Sequence, residues 1–181
     1  MRKTVLVFAI MAFASGVGGG AALAATIGCD GGVCEGTPRK DTLNGSPERD
    51  VMYGRGGVDR LYANGGDNRL YGNADGDKMY GAGGKDFFAG GLGADDGYGR
   101  SGNDAFNGEG GADYFSGGEG NDGMNGGTGS DVLYGGVGND RVAVQDGVFD
   151  RVDCGPGYYD AVVVDRGLDS YRNCENVYWQ D

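Results

Sequence analysis

One acidic position recurs every nine residues through most of this 181-residue sequence. Eleven of the twelve positions at this spacing carry Asp and one carries its amide analogue: Asp41, Asp50, Asp59, Asn68, Asp77, Asp86, Asp95, Asp104, Asp113, Asp122, Asp131 and Asp140. Carboxylate oxygens are the ligands that hard cations such as Ca²⁺ prefer, and Ca²⁺ takes about six to eight of them. The regular spacing therefore indicates repeated cation binding.

A second column lies two residues after each acidic position and is large and apolar at eleven of twelve places: Leu43, Met52, Leu61, Leu70, Met79, Phe88, Gly97, Phe106, Phe115, Met124, Leu133 and Val142. Alternation over stretches such as residues 131–134 predicts a short strand with its apolar member facing a core. Gly97 interrupts the column, and we expect its large neighbours Phe88 and Phe106 to fill the space.

Glycine is concentrated between these short strands, where it permits positive φ and lets backbone carbonyls approach an ion. Two nonapeptides then form one 18-residue coil of strand, loop, strand and loop. The sequence thus predicts an all-β, right-handed parallel β-solenoid of about six coils. The acidic column becomes two stacks, whose members lie about 4.8 Å apart.

The late loops give this pattern its sharpest form, as in Gly-Gly-Glu-Gly-Asn-Asp122 and Gly-Gly-Thr-Gly-Ser-Asp131. They resemble the RTX (repeats-in-toxin) nonapeptide G-G-x-G-x-D-x-U-x, in which U is large and apolar. The resemblance covers roughly residues 36–144. It implies a parallel β-roll in which several Ca²⁺ ions lie between successive coils, held by Asp carboxylates and loop carbonyls.

Carried over position by position, the resemblance predicts these calcium ligands: Asp59, Asp77, Asp86, Asp95, Asp104, Asp113, Asp122, Asp131 and Asp140. The first two repeats contain Pro38 and Pro47 and lack the later glycines, so weak or absent metal binding is expected there. Asn68 lacks the charge. The strongest sites are expected between about residues 81 and 140.

Without metal, the stacked carboxylates repel each other by about 1 kcal/mol per pair even at the dielectric constant of water. Ordering about 100 Gly-rich residues costs on the order of 100 kcal/mol, which a thin apolar core does not offset. Each ion adds about 1.4 kcal/mol when calcium is at ten times its Kd. We therefore expect folding to be coupled to calcium binding.

The ends of the sequence differ from the repeats. Residues 1–24 resemble a signal peptide, which predicts a secreted, extracellular protein without a membrane span in its mature part. Residues 25–35 are expected to form an N-terminal disulfide loop and residues 36–144 the β-roll. Residues 145–181, where Asp and Val recur at ten rather than nine, are expected to form a C-terminal cap with Trp179 as a candidate plug.

Four cysteines in an exported chain favour two disulfides, and three pairings are possible. Cys29 and Cys34 precede the repeats, whereas Cys154 and Cys174 follow them. About six coils separate the two ends by roughly 25–30 Å, and a disulfide needs Cα atoms within about 7 Å. The pairings Cys29–Cys34 and Cys154–Cys174 are therefore favoured.

Composition argues against several functions. The net charge is −12, and removal of the two basic leader residues would make it −14, so nucleic acid is not an expected partner. No His is available as a catalytic base or zinc ligand, and we expect no enzyme. A structural or cell-surface module and a glycan- or protein-binding module remain open. The second would use tyrosines that recur at 18 residues, namely Tyr62, Tyr80 and Tyr98.

Overall fold

A computed structural model describes residues 24–180, which form two nine-stranded parallel sheets and, within this range, no helix. Sheet A contains β1 (Ala25–Gly28), β3 (Asp41–Asn44), β5 (Arg60–Tyr62), β7 (Lys78–Gly83), β9 (Asp96–Ser101), β11 (Tyr114–Glu119), β13 (Val132–Val137), β15 (Arg151–Asp153) and β17 (Ser170–Arg172). Sheet B contains β2 (Val33–Glu35), β4 (Val51–Arg55), β6 (Arg69–Ala74), β8 (Phe87–Leu92), β10 (Ala105–Gly110), β12 (Gly123–Asn125), β14 (Arg141–Val144), β16 (Ala161–Asp165) and β18 (Asn176–Gln180).

The chain alternates between the two sheets, so each strand pairs with the strand two places further along the sequence. Residues 18 apart are in register: Leu61 pairs with Met79 in sheet A, and Phe106 pairs with Met124 in sheet B. This arrangement confirms the predicted parallel β-solenoid with an 18-residue coil.

The apolar column forms one continuous core between the sheets. Its large members are buried, and the strand residues on either side of each are more exposed, as the alternation predicted. A Cβ built on Gly97 would lie 2.6 Å from the Phe115 ring and 3.2 Å from the Phe106 ring. The rings of Phe106, as expected, and of Phe115 thus occupy the gap.

The solenoid has nine coils, and the expected number of six is too low. Residues 25–35 supply β1 and β2, and residues 145–181 supply the last four strands, so both ends continue the sheets. The nonapeptide count misses the C-terminal coils because the repeat lengthens there. Asp131 contacts Asp150, 19 residues on, and Asp140 contacts Asp160, 20 residues on. Longer loops absorb the extra residues while strand pairing is preserved.

Both favoured disulfides are present. The Cα atoms are 5.6 Å apart in Cys29–Cys34 and 5.2 Å apart in Cys154–Cys174. Trp179 lies in the last strand, in register with the buried Val164, and is about half exposed because no further coil follows in the described residues.

Residues 1–23, and with them nearly all of the predicted leader, lie outside the described residues. Within residues 24–180 no helix is long and apolar enough to span a membrane.

Candidate metal centre

The acidic column lies at the entrance of the strands, where each loop turns into the sheet, and is almost completely removed from water. None of its members is more than 3% exposed. One oxygen of each carboxylate has a structural partner: Oδ1 of Asp77 accepts a 2.7 Å hydrogen bond from the backbone N–H of Asp59, one coil earlier. The same bond recurs at 2.7–2.9 Å along both stacks. It joins successive coils and fixes their register.

The second carboxylate oxygen is buried and, within the described residues, has no hydrogen-bond donor at ten positions: Asp59, Asp77, Asp86, Asp95, Asp104, Asp113, Asp122, Asp131, Asp140 and Asp160. Nine of these are the ligands predicted from the sequence, and Asp160 is additional. A buried acceptor left without a partner costs about 1–3 kcal/mol, and more when it is charged. The stacks therefore need a proton or a cation at these oxygens.

Burial raises the pKa of Asp77, Asp104 and Asp113 to about 7, and repulsion from neighbouring carboxylates in the same stack adds to the increase. The backbone hydrogen bond to Oδ1 opposes it in each case. The direction shows that an unneutralised negative charge is unfavourable here, because desolvation penalises the ionised form. A bound cation would reverse this effect.

A glycine five residues before each Asp keeps the space around the free oxygen open. A Cβ built on Gly117 would lie 2.1 Å from Oδ2 of Asp122 and 2.5 Å from the carbonyl oxygen of Gly135, one coil on. On Gly108 the corresponding distances are 2.3 Å to Asp113 and 2.0 Å to a carbonyl. No side chain fits, and carboxylate and carbonyl oxygens share the space.

Asn68 shows which groups surround this space, because its amide nitrogen takes the place of the free oxygen. Its Oδ1 accepts from the N–H of Asp50, as an Asp would. Its Nδ2 donates to the carbonyls of Gly65 and Gly66 at 3.0 and 2.8 Å, and to Oδ1 of Asp86 at 2.9 Å. Three oxygens thus converge on one position, which an amide satisfies with its two hydrogens.

At the positions with a donor-free Oδ2 an oxygen replaces that nitrogen, so the equivalent surroundings contain acceptors alone. Such an all-oxygen set of carboxylates and carbonyls suits Ca²⁺ and offers no nitrogen or sulfur ligand for a softer metal. No three Asp, Glu, His or Cys side chains of the described residues come together as a metal cluster. Each ion would therefore take its remaining ligands from backbone carbonyls.

The first two repeats satisfy their carboxylates internally. Oδ2 of Asp41 accepts from the backbone N–H and the hydroxyl of Thr37 at 2.6 and 2.8 Å. Oδ2 of Asp50 accepts from the corresponding groups of Ser46 at 2.6 and 3.0 Å. These loops offer no free oxygen to a metal, which agrees with the expectation that they bind it weakly.

Sequence reasoning did not include Asp150 and Asp160 among the ligands, although it noted their ten-residue recurrence. Both are buried, and each accepts a backbone N–H bond from the preceding coil, at 2.8 Å from Asp131 and 2.7 Å from Asp140. The sequence feature that could have identified Asp160 is the pair of glycines in Gly155-Pro-Gly157, which precedes it in a loop of altered length.

The predicted tyrosine ladder is present on sheet A, outside the core. Tyr62, Tyr80 and Tyr98 stack with ring centroids 4.9 and 5.1 Å apart and interplanar angles of 6° and 7°. The ladder continues with tilted contacts through Tyr114 to Tyr134. The face of each ring is turned toward the next ring along the solenoid axis, so the ring edges and hydroxyls are left to contact solvent.

The family model of the RTX calcium-binding nonapeptide repeat matches the chain in four copies, at residues 35–70, 62–97, 90–124 and 123–147. Together these matches span well over half of the sequence and contain all nine predicted ligands. No curated protein matches the chain.

Proposed function

Because the chain belongs to the RTX calcium-binding nonapeptide repeat family, we propose that it is a calcium-dependent structural module whose folding is coupled to ions bound between stacked loops. The observation that carries this proposal is the row of buried, donor-free Oδ2 atoms from Asp59 to Asp140. The structural role agrees with what repeat rolls of this family typically do, and we propose no catalytic activity.

The chemistry contributed by calcium is the neutralisation of carboxylates that face each other across successive coils. Asp residues of one stack, such as Asp104, Asp122 and Asp140, are joined through Oδ1 and the backbone and would be neutralised through Oδ2. With the charge neutralised, the same side chains that repel each other without metal would hold adjacent coils together. Several ions acting on one thin core would make folding cooperative.

The N-terminal coils should depend least on calcium. The hydroxyls of Thr37 and Ser46 and the amide of Asn68 supply the donors that other repeats lack. The Cys29–Cys34 disulfide holds the first turn. We propose that this end remains partly ordered without metal and provides the edge on which calcium-bound coils add.

Export from the cell is part of the proposal. The leader-like residues 1–24 and the two disulfides support it, because disulfides persist in oxidising compartments outside the cytosol. Extracellular calcium would then drive folding after export. The last coils, stapled by Cys154–Cys174, would cap the C-terminal end of the core.

Calcium-dependent binding of a glycan or protein through the tyrosine ladder is the second candidate. The continuous aromatic row from Tyr62 to Tyr134 favours it. The stacking of the rings makes sugar binding less favourable, because sugars would pack on ring faces that neighbouring rings already cover. A glycan array probed with and without Ca²⁺ tests it, and calcium-dependent binding lost in Tyr80→Ser and Tyr98→Ser would support it.

Calorimetric titration of the purified protein with Ca²⁺ tests the primary proposal, with Mg²⁺ as a control. We expect several calcium ions per chain and weaker binding of Mg²⁺, which demands octahedral geometry and retains its water. Absence of calcium binding at millimolar concentration would refute the proposed function.

A further inference from the structure

Asp160 lies beyond the last repeat matched by the family, yet it has the same unsatisfied chemistry as the repeat aspartates. Its side chain is completely buried. Oδ1 accepts a 2.7 Å hydrogen bond from the backbone N–H of Asp140, and Oδ2 is shielded from water without a hydrogen-bond partner. A carboxylate buried in this way needs a cation or a proton from solution to neutralise its charge.

Glu175 takes, in the last coil, the structural place that an Asp takes elsewhere. Its Oε2 accepts a 2.9 Å hydrogen bond from the backbone N–H of Asp160, the bond that Asp140 makes to Asp122 at 2.8 Å. The longer Glu side chain thus continues the acidic stack by one member. The neighbouring Cys174, bonded to Cys154, anchors this position to the previous coil.

Because Glu175 accepts from the backbone N–H of Asp160, its carboxylate lies beside that residue. Burial raises the pKa of Asp160 and the negative charge of Glu175 raises it further, whereas the hydrogen bond from the backbone of Asp140 opposes the increase. A backbone carbonyl completes the surroundings: a Cβ built on Gly157 would lie 2.1 Å from the carbonyl oxygen of Gly138 and 2.5 Å from Oδ2 of Asp160. Glycine again keeps a space lined by a carboxylate and a carbonyl free of side chains.

We propose that Asp160 and Glu175, with the carbonyl of Gly138, form an additional site for a divalent cation of the calcium type, which fastens the terminal coil to the roll. The site lies outside the nonapeptide repeats and uses a glutamate at a place in the stack where the repeats have Asp. This inference rests on the proposed calcium-dependent function. The role of the site follows from its position. Within the described residues β18 pairs with a strand on one side alone. An ion bound in the loop before β18 therefore holds this strand in place.

Glu175→Gln is the sharpest variant, because its amide oxygen can still accept from the N–H of Asp160 while the charge is lost. Asp160→Asn is the second, since Asn68 shows that an amide is accepted in this column. Glu119→Gln is the matched control, because Glu119 is exposed and outside the acidic stacks. Calcium stoichiometry is measured on each full chain by calorimetry and by native mass spectrometry.

We expect Glu175→Gln to bind one Ca²⁺ fewer than the unaltered protein and the Glu119→Gln control to bind the full number. If both Glu175→Gln and Asp160→Asn retain the full number, the pair is held by a shared proton and the inference is wrong. If the unaltered protein binds no calcium, the proposed function itself fails, which distinguishes the two outcomes.

Should a variant fail to fold, terbium provides a readout on the unaltered protein. Trp179, the single tryptophan of the chain, lies in the strand that begins directly after Glu175. Terbium bound at this site would emit when tryptophan is excited at the red edge of its absorption, where tyrosine contributes little. Calcium should displace it and abolish the emission. Terbium binding without tryptophan-sensitised emission would overturn the inference.

Discussion

The side-chain amide of Asn68 donates a 2.9 Å hydrogen bond to Oδ1 of Asp86, one coil further on, and also binds two loop carbonyls. An uncharged amide nitrogen thus stands where other repeats have a carboxylate oxygen, and it donates to the oxygens around it. In the same repeat, Ala63 replaces the glycine found five residues before every other member of the acidic column. We therefore expect this repeat to bind no metal.

Restoring the consensus at this repeat should create a site. We expect Asn68→Asp combined with Ala63→Gly to bind one more Ca²⁺ and to be less stable than the parent without metal, because two loop carbonyls lose their donor and Oδ1 of Asp86 keeps the backbone N–H alone. Loss of a donor to buried acceptors costs about 1–3 kcal/mol. Calorimetric stoichiometry and chelator-dependent melting check this, with Ala63→Gly alone as the control. An unchanged stoichiometry in the double variant would contradict the assignment of Asn68 as a replacement for the ion.

Removing an Asp carboxylate should reduce calcium binding where its Oδ2 has no hydrogen-bond donor, and not where a donor is present. Asp122→Ala should bind less calcium and lose at least about 1.4 kcal/mol of stability in calcium at ten times the Kd. Asp50→Ala removes a similar backbone contact, but its Oδ2 is already bonded to Ser46, so it should leave calcium stoichiometry unchanged. Titration calorimetry ranks the two, and a larger loss of calcium in Asp50→Ala would reverse the assignment.

A methyl group in the open space should block a site without altering any charge. A Cβ at Gly117 would lie 2.1 Å from Oδ2 of Asp122, whereas a Cβ at Gly123 has no atom within 4 Å. We expect Gly117→Ala to weaken calcium binding and to destabilise the protein by about 1–3 kcal/mol. Gly123→Ala should bind calcium normally and be as stable as the parent or more so. Equal calcium affinities in the two variants would show that this space is not used by an ion.

Acid should partly substitute for calcium. Burial raises the pKa of Asp77, Asp104 and Asp113 to about 7 in the metal-free fold, above the ordinary value of 3.8. The folded form therefore holds protons more tightly, and its stabilisation is complete below pH 3.8 and lost as the pH rises through about 7. Metal-free protein should gain strand content and melting temperature between about pH 8 and about pH 5. Calcium binding should weaken over the same interval, because protons compete for the carboxylates.

Melting curves of the metal-free protein over this pH range, paired with calcium titrations, provide the check. If the metal-free protein instead becomes less stable on acidification, repulsion between the buried carboxylates is not the main factor that destabilises it.

Much of this structure follows from spacing. Regular recurrence of Asp and an apolar residue predicted the coil, its register and the stack to which each Asp belongs. The tyrosine ladder and the disulfides followed because 18 residues correspond to one turn and the two chain ends are far apart. Each of these features depends on the repeat length alone.

The features that the spacing did not predict arise where the repeat length changes or from the conformations of individual side chains. Asp160 and Glu175 enter the acidic stack through a 20-residue coil and a longer side chain, which shifts them out of the nonapeptide phase. The amide of Asn68 and the hydroxyl of Thr37 donate to neighbouring oxygens through local hydrogen bonds that are visible only when the loop is folded. Phe115, which pairs with Gly97 from the next coil, places its ring 2.6 Å from a Cβ built on that glycine.

We infer that bound calcium stabilises this fold by neutralising the buried Oδ2 atoms from Asp59 to Asp140. Far-ultraviolet circular dichroism of the purified protein at about pH 8, where proton rescue is absent, tests it most directly. We expect a largely unstructured chain in chelator, with residual order near the N-terminal disulfide, and a β-rich spectrum in millimolar Ca²⁺. Equal strand content in chelator and in calcium would contradict it.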